Sequence, residues 1–363
     1  MKKILEIIEQ KEINTYLNYS LVMCSLLWNP NKLSWLNEHF TNIYLMRESN
    51  NYIWFDYLES SDFMKDVMEY SNYNVETMKN KLSEKFNLVD YIIDSINNEY
   101  YVTVFVDGYF LDKTSTYQKE HQSVQSFIYG YCEEELILYG IGFREDGSFG
   151  KIEYNFESFL QAAQFAIDNY HRANVWVDWF FVTRTKIISP DIQYEFEPKT
   201  YLNDLKSFIN SEGSKELLRE ETKYEKGDYA LYGFKAQEEL INAFNELLDG
   251  NFVFDYRCIH LLVEHKELMM KKMMNTAISM GIEEKIKNVL DNYKEITEEF
   301  KEIRMVFLKN VMIDNNMETI YGQLTNKKVI KALYNKLVVL SNKEYEVLNI
   351  FLDEAEKTVV IKT

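Results

Sequence analysis

The stretch SVQSFIYGYCEEELILYGIGF, residues 123–143, decides the fold of the first half of this chain. Two runs rich in aromatic and β-branched residues flank a short acidic segment, which predicts a β-hairpin with its turn at residues 132–135. The run YYVTVFVDGYF, residues 100–110, lies just before the hairpin and has the same character. Together these runs predict a mainly antiparallel sheet.

Two amphipathic helices are predicted on the N-terminal side of this sheet. Residues 14–28 and 76–97 both carry apolar side chains at the spacing of one helix face. In the first helix that stripe consists of Leu17, Leu21, Cys24 and Trp28. Because helices beside a mainly antiparallel sheet form an α+β domain, we expect this fold class for the first half of the chain.

A domain boundary is predicted near two of the three prolines. Pro190 and Pro198 lie close together in the stretch IISPDIQYEFEPKT. Beyond them the sequence has helical periodicity almost throughout. We therefore predict an α+β domain over residues 1–190 and an α-helical domain over residues 191–363.

The charge balance argues against two classes of partner. The chain has 40 Lys and Arg residues against 58 Asp and Glu residues, which gives a formal net charge of −18. Nucleic acids and anionic membranes bind proteins through phosphate groups that Lys and Arg neutralise. We therefore expect no nucleic-acid partner and no membrane partner.

Cysteine usage and the first residues indicate a cytoplasmic protein. The three cysteines, Cys24, Cys132 and Cys258, lie far apart, which argues against a disulfide framework and against a thiolate zinc site. The first residues, MKKILEIIEQKEI, have charges within the apolar stretch, so a signal peptide is not expected. No apolar run has the length of a membrane span. We expect a soluble cytoplasmic protein without a cofactor.

Cys24 and His121 form the candidate pair for cysteine catalysis. A catalytic thiolate needs a lowered pKa, usually from a helix N-terminus and a neighbouring imidazole. If the helix begins near Thr15, a rise of about 1.5 Å per residue puts Cys24 roughly 13 Å from that terminus. Cys24 also lies on the apolar stripe, where a free cysteine packs as a small hydrophobic residue. We predict that Cys24 belongs to the core, and the pair with His121 is the alternative.

A second candidate group consists of Arg257, His260, Glu264 and His265. His260 and Glu264 are four residues apart on one predicted helix, a spacing that could hold a metal ion. The spacing is not the H-E-x-x-H pattern of zinc peptidases, and Arg257 on the same face would repel a cation. An Arg–Glu pair with a histidine beside it explains the spacing through contacts three and four residues apart. We predict an internal polar network and no metal site.

The order of these elements resembles that of a known family. The N-terminal helix, the hairpin of residues 123–143 and the later stretches WVDWFFVTR and YRCIHLLVEHKELM together resemble papain-like proteins of non-ribosomal peptide gene clusters. Those proteins are related to the butirosin-biosynthesis acyltransferase and to bacteriocin-processing cysteine peptidases. The resemblance runs over most of the chain and implies a papain-like, cysteine-peptidase-type fold for the α+β domain.

The resemblance also implies three catalytic positions that this chain has lost. The family has a cysteine at the start of the first helix, in a stretch like N-C-Y-L-N, where this chain has N-T-Y-L-N with Thr15 in place of the cysteine. Counting from the YGY of residues 129–131, the family's histidine falls on Val124 and its aspartate on or beside Gly142. These two positions would face each other across the predicted hairpin, about 5 Å apart, and Thr15 would cap the helix. We predict that Thr15, Val124 and Gly142 converge on one ligand cleft.

The three replacements imply a catalytically degenerate papain-like protein. Such a protein would bind or scaffold an intermediate of a specialised-metabolite pathway, either attached to an acyl or peptidyl carrier protein or present as a peptide. Two alternatives stay open. One is an active cysteine acyltransferase that forms amides from a carrier-protein thioester, which needs a reactive Cys24. The other is a structural protein that associates into a homo-oligomer.

Overall fold

A computed structural model confirms the α+β class of the chain. It describes residues 1–48, 52–60, 63–83, 87–169, 177, 180–213, 229–249, 254–314 and 324–362. Part of the stretch WVDWFFVTR lies outside these residues. Among the helices of the described residues, none combines the length and the apolar character that a membrane span requires.

The elements follow one another along the chain as follows. The strands are β1 (Lys2–Ile4), β2 (Ile43–Arg47), β3 (Ile53–Tyr57), β4 (Met68–Tyr73), β5 (Tyr101–Asp107), β6 (Ser123–Cys132), β7 (Ile137–Phe143), β8 (Phe149–Asn155), β9 (Val182–Ile187) and β10 (Tyr229–Tyr232). The α-helices are α1 (Leu17–Leu26), α2 (Val75–Ser83), α3 (Leu88–Asn97), α4 (Phe156–Asn169), α5 (Pro198–Asn210), α6 (Gly233–Glu246), α7 (Tyr256–Met280), α8 (Lys287–Asp314) and α9 (Lys327–Lys362).

The chain divides into two compact units. The first comprises Met1–Leu33 and Met64–Tyr194, and the second comprises Ser34–Phe63 and Glu195–Thr363. The predicted boundary between residues 190 and 191 lies close to the last of these divisions. The prediction placed Ser34–Phe63 in the first domain, whereas the structure places this segment in the second unit. In the sequence, no cluster of prolines or glycines marks the ends of the segment.

The first unit is built on a seven-stranded antiparallel sheet. Its strands follow the order β4-β9-β5-β6-β7-β8, and β1 pairs with β6. Every residue of β5 is buried, which is typical of a central strand covered on both faces. β8 instead alternates buried and exposed residues from Gly150 to Asn155, which is typical of a strand with one face in solvent.

Different helices cover the two faces of this sheet. On one face Tyr154 packs against α4, and Ser126 donates a hydrogen bond to the Tyr154 hydroxyl (3.3 Å). On the other face Phe127 stacks on Tyr101 with ring centroids 5.4 Å apart. Trp28, just after α1, donates to the Tyr101 hydroxyl (3.2 Å). Because successive residues of a strand point to opposite faces, α4 and α1 lie on opposite sides of the sheet.

Three local predictions for the first unit differ from the structure. The third of them is the single helix over residues 76–97, which is two helices, α2 and α3, with extended backbone at Asn87. The first helix was predicted over residues 14–28 and occupies Leu17–Leu26, with Tyr16 rather than Thr15 as its N-cap. No side-chain hydrogen bond caps this helix. The hairpin turn occupies residues 133–136, one residue later than predicted. The second difference changes the register of the site, as described below.

The second unit combines a three-stranded antiparallel sheet with helices α5 to α9. The strands follow the order β10-β2-β3. Beyond residue 190 the described residues are mostly helical, as predicted, and β10 is the element of the sheet that comes from this part of the chain. The sheet was missed because β10 has only four residues, too few for a periodic signal, and because β2 and β3 come from a distant part of the chain.

A buried polar network joins four helices of the second unit. Lys266 Nζ of α7 lies 2.9 Å from Glu344 Oε1 of α9, and both side chains are fully buried. Gln237 of α6 donates a hydrogen bond to Glu344 (2.8 Å) and accepts one from Lys266. Tyr293 of α8 donates to Glu344 at 2.8 Å. Each charge in this network therefore has the partners that a buried ion requires.

Candidate functional site

A histidine–aspartate pair is the candidate site of the first unit. His121 Nδ1 lies 3.0 Å from Asp107 Oδ2. The Asp107 side chain is fully buried, whereas 46% of the His121 side chain is exposed. The Asp107 carboxylate also accepts a hydrogen bond from the backbone N–H of Tyr109 (2.8 Å). A buried carboxylate therefore holds an imidazole that solvent can reach.

Strand pairing brings these two residues together. Asp107 is the last residue of β5 and pairs with Ser123, the first residue of β6. The loop between these strands returns to the end of β5, which places His121 beside Asp107. The loop requires glycine at position 108, because a Cβ atom on Gly108 would lie 2.2 Å from Thr116 Oγ1.

Two aromatic rings hold the His121 imidazole in place. The ring of Phe165, on α4, lies parallel to the imidazole, with centroids 4.3 Å apart and an interplanar angle of 4°. The Tyr109 ring also stacks on the imidazole, at 4.3 Å and 25°. These contacts limit rotation of the ring while Asp107 fixes Nδ1. Nε2 is then the ring nitrogen directed away from the carboxylate.

This geometry allows His121 to do two kinds of chemistry. A carboxylate at Nδ1 selects the neutral tautomer with Nδ1–H, so that Nε2 can accept a proton from a nucleophile. A ring that carries a proton on Nε2 can instead donate a hydrogen bond from that atom to a carbonyl or phosphate oxygen. His121 can therefore act as a base or as a binding residue for an oxygen atom.

The structure places Cys24 in the core of the first unit, as predicted. The side chain is fully buried, in the cluster that also contains Leu21. The thiol donates a hydrogen bond to the carbonyl of Ser20 at 3.2 Å. Burial raises the pKa of the Cys24 thiol to about 12, so the reactive thiolate is scarce at neutral pH. His121, its alternative partner, contacts Asp107 instead.

We expect Cys24 in the native protein to resist alkylation by iodoacetamide and to react only after unfolding. The reason is that both burial and the raised pKa suppress the thiolate. Cys24→Ala should lower the free energy of unfolding by about 1 kcal/mol, as loss of one small core group does. Peptide mass spectrometry locates the modified cysteine, and rapid native modification of Cys24 would contradict this assignment.

The positions that the family resemblance assigned to catalysis do not lie on the α1 side of the sheet. Val124 shares a face with Ser126, which contacts Tyr154. Gly142 lies beside the same tyrosine, since a Cβ atom there would be 3.4 Å from Tyr154 Oη. This is the face that α4 covers, whereas Thr15 precedes α1 on the other face. The cleft that these two positions would share with Thr15 stays a prediction.

Turn position explains why the predicted register differs from the observed one. The predicted turn placed residues 124 and 142 opposite each other. In the structure the turn comes one residue later, and the pairing of β6 with β7 contains a register shift. Phe127 pairs with Ile141, so continuing the register places Ser126 opposite Gly142. Small shifts of this kind decide which residues meet across a sheet.

The residues predicted to form one polar network on α7 have separate partners. Arg257 pairs with Asp255 at the start of the helix, with Nη2 2.6 Å from Oδ2. Glu264 is buried and accepts a hydrogen bond from the Tyr57 hydroxyl (3.0 Å). The prediction placed these partners within the helix, but Tyr57 comes from β3, which the sequence did not place beside α7.

The two histidines of this group are kept neutral by burial. His265 Nε2 donates a hydrogen bond to the carbonyl of Thr41 (2.8 Å), and Nδ1 lies 3.1 Å from Lys266 Nζ. Burial lowers the pKa of His265 well below its usual range and that of His260 to about 4. Within the part of the chain that the structure describes, no group of three His, Cys, Asp or Glu side chains could hold a metal ion.

Asp107 is the residue of the candidate site that the sequence did not predict. The signal was present in the stretch VFVDGYF, where an acidic residue ends an apolar strand and a glycine follows. An acid in that place lies beside the start of the next antiparallel strand. The sequence suggests Cys24 as the partner of His121, because a catalytic cysteine needs a histidine as its base.

A scan against protein-family models finds no match, and a search of curated proteins finds none either. The site is therefore interpreted from its own geometry, and the papain-like relationship is part of the proposal below.

Proposed function

We propose that this chain binds an acyl or peptidyl intermediate of a specialised-metabolite pathway, with His121 as the residue that contacts the intermediate. In this proposal the first unit is a papain-like domain without a cysteine nucleophile. The intermediate is attached to a carrier protein or is a peptide, and the protein is cytoplasmic. The hydrogen bond between the buried Asp107 carboxylate and the accessible His121 imidazole carries the proposal.

The state of the cysteines supports binding rather than cysteine catalysis. Cys24, Cys132 and Cys258 are all free and buried. Burial raises the pKa of the Cys258 thiol as well as that of Cys24. A covalent acyl-cysteine intermediate needs an accessible thiolate beside a base. Free cysteines also agree with a reducing compartment.

The chemistry of His121 supports a ligand with an exposed carbonyl or phosphate oxygen. An intermediate on a carrier protein has both, because the phosphopantetheine arm carries amide, thioester and phosphate oxygens. Because Asp107 holds Nδ1, Nε2 is the ring nitrogen that can contact such an oxygen. The stacked rings of Tyr109 and Phe165 keep the imidazole in place before the ligand arrives.

We expect His121→Asn to weaken binding of S-acetylpantetheine by about tenfold, because it removes one hydrogen bond to the ligand. Asparagine is the most selective replacement. Its amide nitrogen can keep the hydrogen bond to Asp107, so that the variant loses only the Nε2 atom that would contact the ligand. Titration calorimetry on the wild type and on this variant measures the change. Glu120→Gln, at an exposed neighbouring residue, is the matched control and should bind as the wild type does. Equal affinity of all three proteins would contradict the proposal.

The same geometry favours a second candidate function, amide formation with His121 as a general base. In this reaction Nε2 takes the proton of an attacking amine, the amine nitrogen bonds to the thioester carbonyl, and the thiol leaves with a proton. A histidine oriented by a buried carboxylate has the arrangement that such a base needs. This candidate does not require Cys24.

An assay of amide formation distinguishes the binding role from the general-base role of His121. S-acetylpantetheine is incubated with the protein and a primary amine such as glycine methyl ester, and released thiol is followed with a disulfide indicator. Binding without thiol release above the uncatalysed rate supports the binding role. Thiol release that His121→Asn abolishes and Cys24→Ala leaves unchanged supports the general-base role.

A further inference from the structure

A cavity of about 840 Å³ forms a second concave surface of the first unit. Its volume lies within the range of small-molecule sites, about 300–1,000 Å³. Ile4 and the rings of Tyr129 and Tyr139 contribute apolar surface to its lining. The lining does not include His121 or Asp107, so the cavity is not the site described above.

The charged side chains that line this cavity balance each other. Three are basic and three are acidic, namely Lys113, Arg144, Lys151, Glu145, Asp146 and Glu153. The chain as a whole has a formal net charge of −18, so the cavity differs from the average surface. Because binding sites and their ligands are complementary in charge, a lining with both signs favours a ligand that carries both signs.

Tyr129 supplies a hydroxyl group that has no partner within the protein. The residue is only 6% exposed and lies at the register shift between β6 and β7. Among the described residues, no group forms a hydrogen bond with this hydroxyl. Burial raises the pKa of Tyr129 to about 12, so the hydroxyl keeps its proton at neutral pH and can donate. Buried polar groups normally have partners, and a partner can reach this hydroxyl from the cavity.

Lys151 supplies a positive charge beside the Tyr129 ring. Its ammonium group lies 5.9 Å from the centroid of that ring. Arg144 and Lys113, the other two cations of the lining, have acidic partners at 3.3 Å and 3.5 Å. In the part of the chain that the structure describes, Lys151 forms no ion pair. An ammonium group and a phenol hydroxyl are both donors that a carboxylate can accept from.

Glu153 supplies a negative charge on the same face of the sheet. It follows Lys151 by two residues on β8, and residues at that spacing point to the same side of a strand. It also pairs with Tyr139 in the β7–β8 ladder, which places it beside the aromatic part of the cavity. Within the described ranges Glu153 forms no ion pair either. Its carboxylate can therefore accept a hydrogen bond from an ammonium group of a ligand.

We propose that this cavity binds an amino acid with an apolar side chain, with the ligand carboxylate at Lys151 and Tyr129 and its ammonium group at Glu153. The apolar side chain of the ligand packs on Tyr139 and on Ile4, which is 46% exposed. A neutral apolar molecule fits less well, because it would cover two charges and leave both unpaired. The proposal goes beyond the proposed function and does not rest on it.

Titration calorimetry with L-phenylalanine tests this site, and Tyr129→Phe is the decisive variant because it removes the hydroxyl and keeps the ring. We expect it to weaken binding at least about tenfold, since a hydrogen bond to a charged group is lost. Tyr70→Phe is the matched control. It removes the hydroxyl of a tyrosine that is 51% exposed on β4, and it should bind as the wild type does.

Two analogues of phenylalanine test the two charges of the ligand separately. Phenethylamine lacks the carboxylate and N-acetyl-L-phenylalanine lacks the ammonium group, so each should bind the wild type at least about tenfold more weakly than L-phenylalanine does. Lys151→Met should weaken binding of L-phenylalanine and leave that of phenethylamine unchanged. Glu153→Gln should weaken binding of L-phenylalanine and leave that of N-acetyl-L-phenylalanine unchanged.

Three results would overturn the proposal. The first is that L-phenylalanine does not bind the wild type, and the second is that it binds Tyr129→Phe as tightly as the wild type. The third is that either analogue binds the wild type as tightly as L-phenylalanine, because the cavity would then not contact both charges. The comparison of analogues uses wild-type protein alone, so it decides the question even if a variant fails to fold.

Discussion

Lys266→Met is expected to lower the free energy of unfolding by roughly 3–5 kcal/mol, because it leaves Glu344 as an unpaired buried charge. The Lys266–Glu344 pair is fully buried, and Gln237 and Tyr293 alone would then contact the carboxylate. Neutral donors compensate a buried carboxylate only in part. Chemical denaturation at neutral pH measures the change.

Two further variants separate the loss of the charge pair from a general packing defect. Lys266→Met combined with Glu344→Leu removes both charges and should recover most of the lost stability. Lys206→Met breaks the exposed pair with Glu356 (3.0 Å) and should change the free energy of unfolding by less than about 1 kcal/mol. Similar losses of unfolding free energy in Lys266→Met and Lys206→Met would mean that the buried ion pair contributes no more to stability than an exposed one.

Asp56→Asn is expected to make stability less dependent on pH, because it removes a buried acid whose pKa is raised. Burial, assisted by the nearby Glu264 carboxylate, raises the pKa of Asp56 to about 8. The folded protein therefore keeps a proton that the unfolded chain releases near pH 4. The stabilising contribution of this group is complete below the unfolded pKa and is lost as pH rises through the folded pKa.

The expected size of this effect follows from proton linkage. Between pH 5 and pH 8 the wild type should lose roughly 4 kcal/mol of stability relative to Asp56→Asn, at about 1.4 kcal/mol per pH unit. Asparagine can keep the bond that Asp56 accepts from the backbone N–H of Tyr57 (2.7 Å). Denaturation curves of both proteins at each pH give the difference directly. A difference that stays constant across this range would show that Asp56 is already ionised in the folded state.

The sheet of the first unit could be predicted because its strands are long and continuous in sequence. The runs at residues 100–110 and 123–143 contain β5, β6 and β7. Their apolar and aromatic residues strongly favour β-strands. The sheet of the second unit could not be predicted in the same way, since its strands β2, β3 and β10 are short and far apart along the chain. Pairing over such distances depends on tertiary packing.

The contacts of the candidate site could likewise be predicted from the sequence only where they depend on a local pattern. Burial of Cys24 followed from its place on an apolar helix stripe, which is a local pattern. The contact between His121 and Asp107 depends on the path of the loop that joins β5 to β6. The sequence fixes neither that path nor the stacking of Phe165 on the imidazole. A contact of this kind becomes visible only when the neighbouring strands are known.

The central claim is that ligand binding in the first unit takes place at His121. Histidine-ring NMR spectra of ¹³C-labelled protein, recorded with and without S-acetylpantetheine, test this claim most directly, and His121→Asn assigns the His121 signal by its absence. The account predicts that the His121 signal moves on titration while those of the half-buried His260 and the buried His265 do not. A stationary His121 signal, at ligand concentrations where calorimetry shows saturation, would contradict the account.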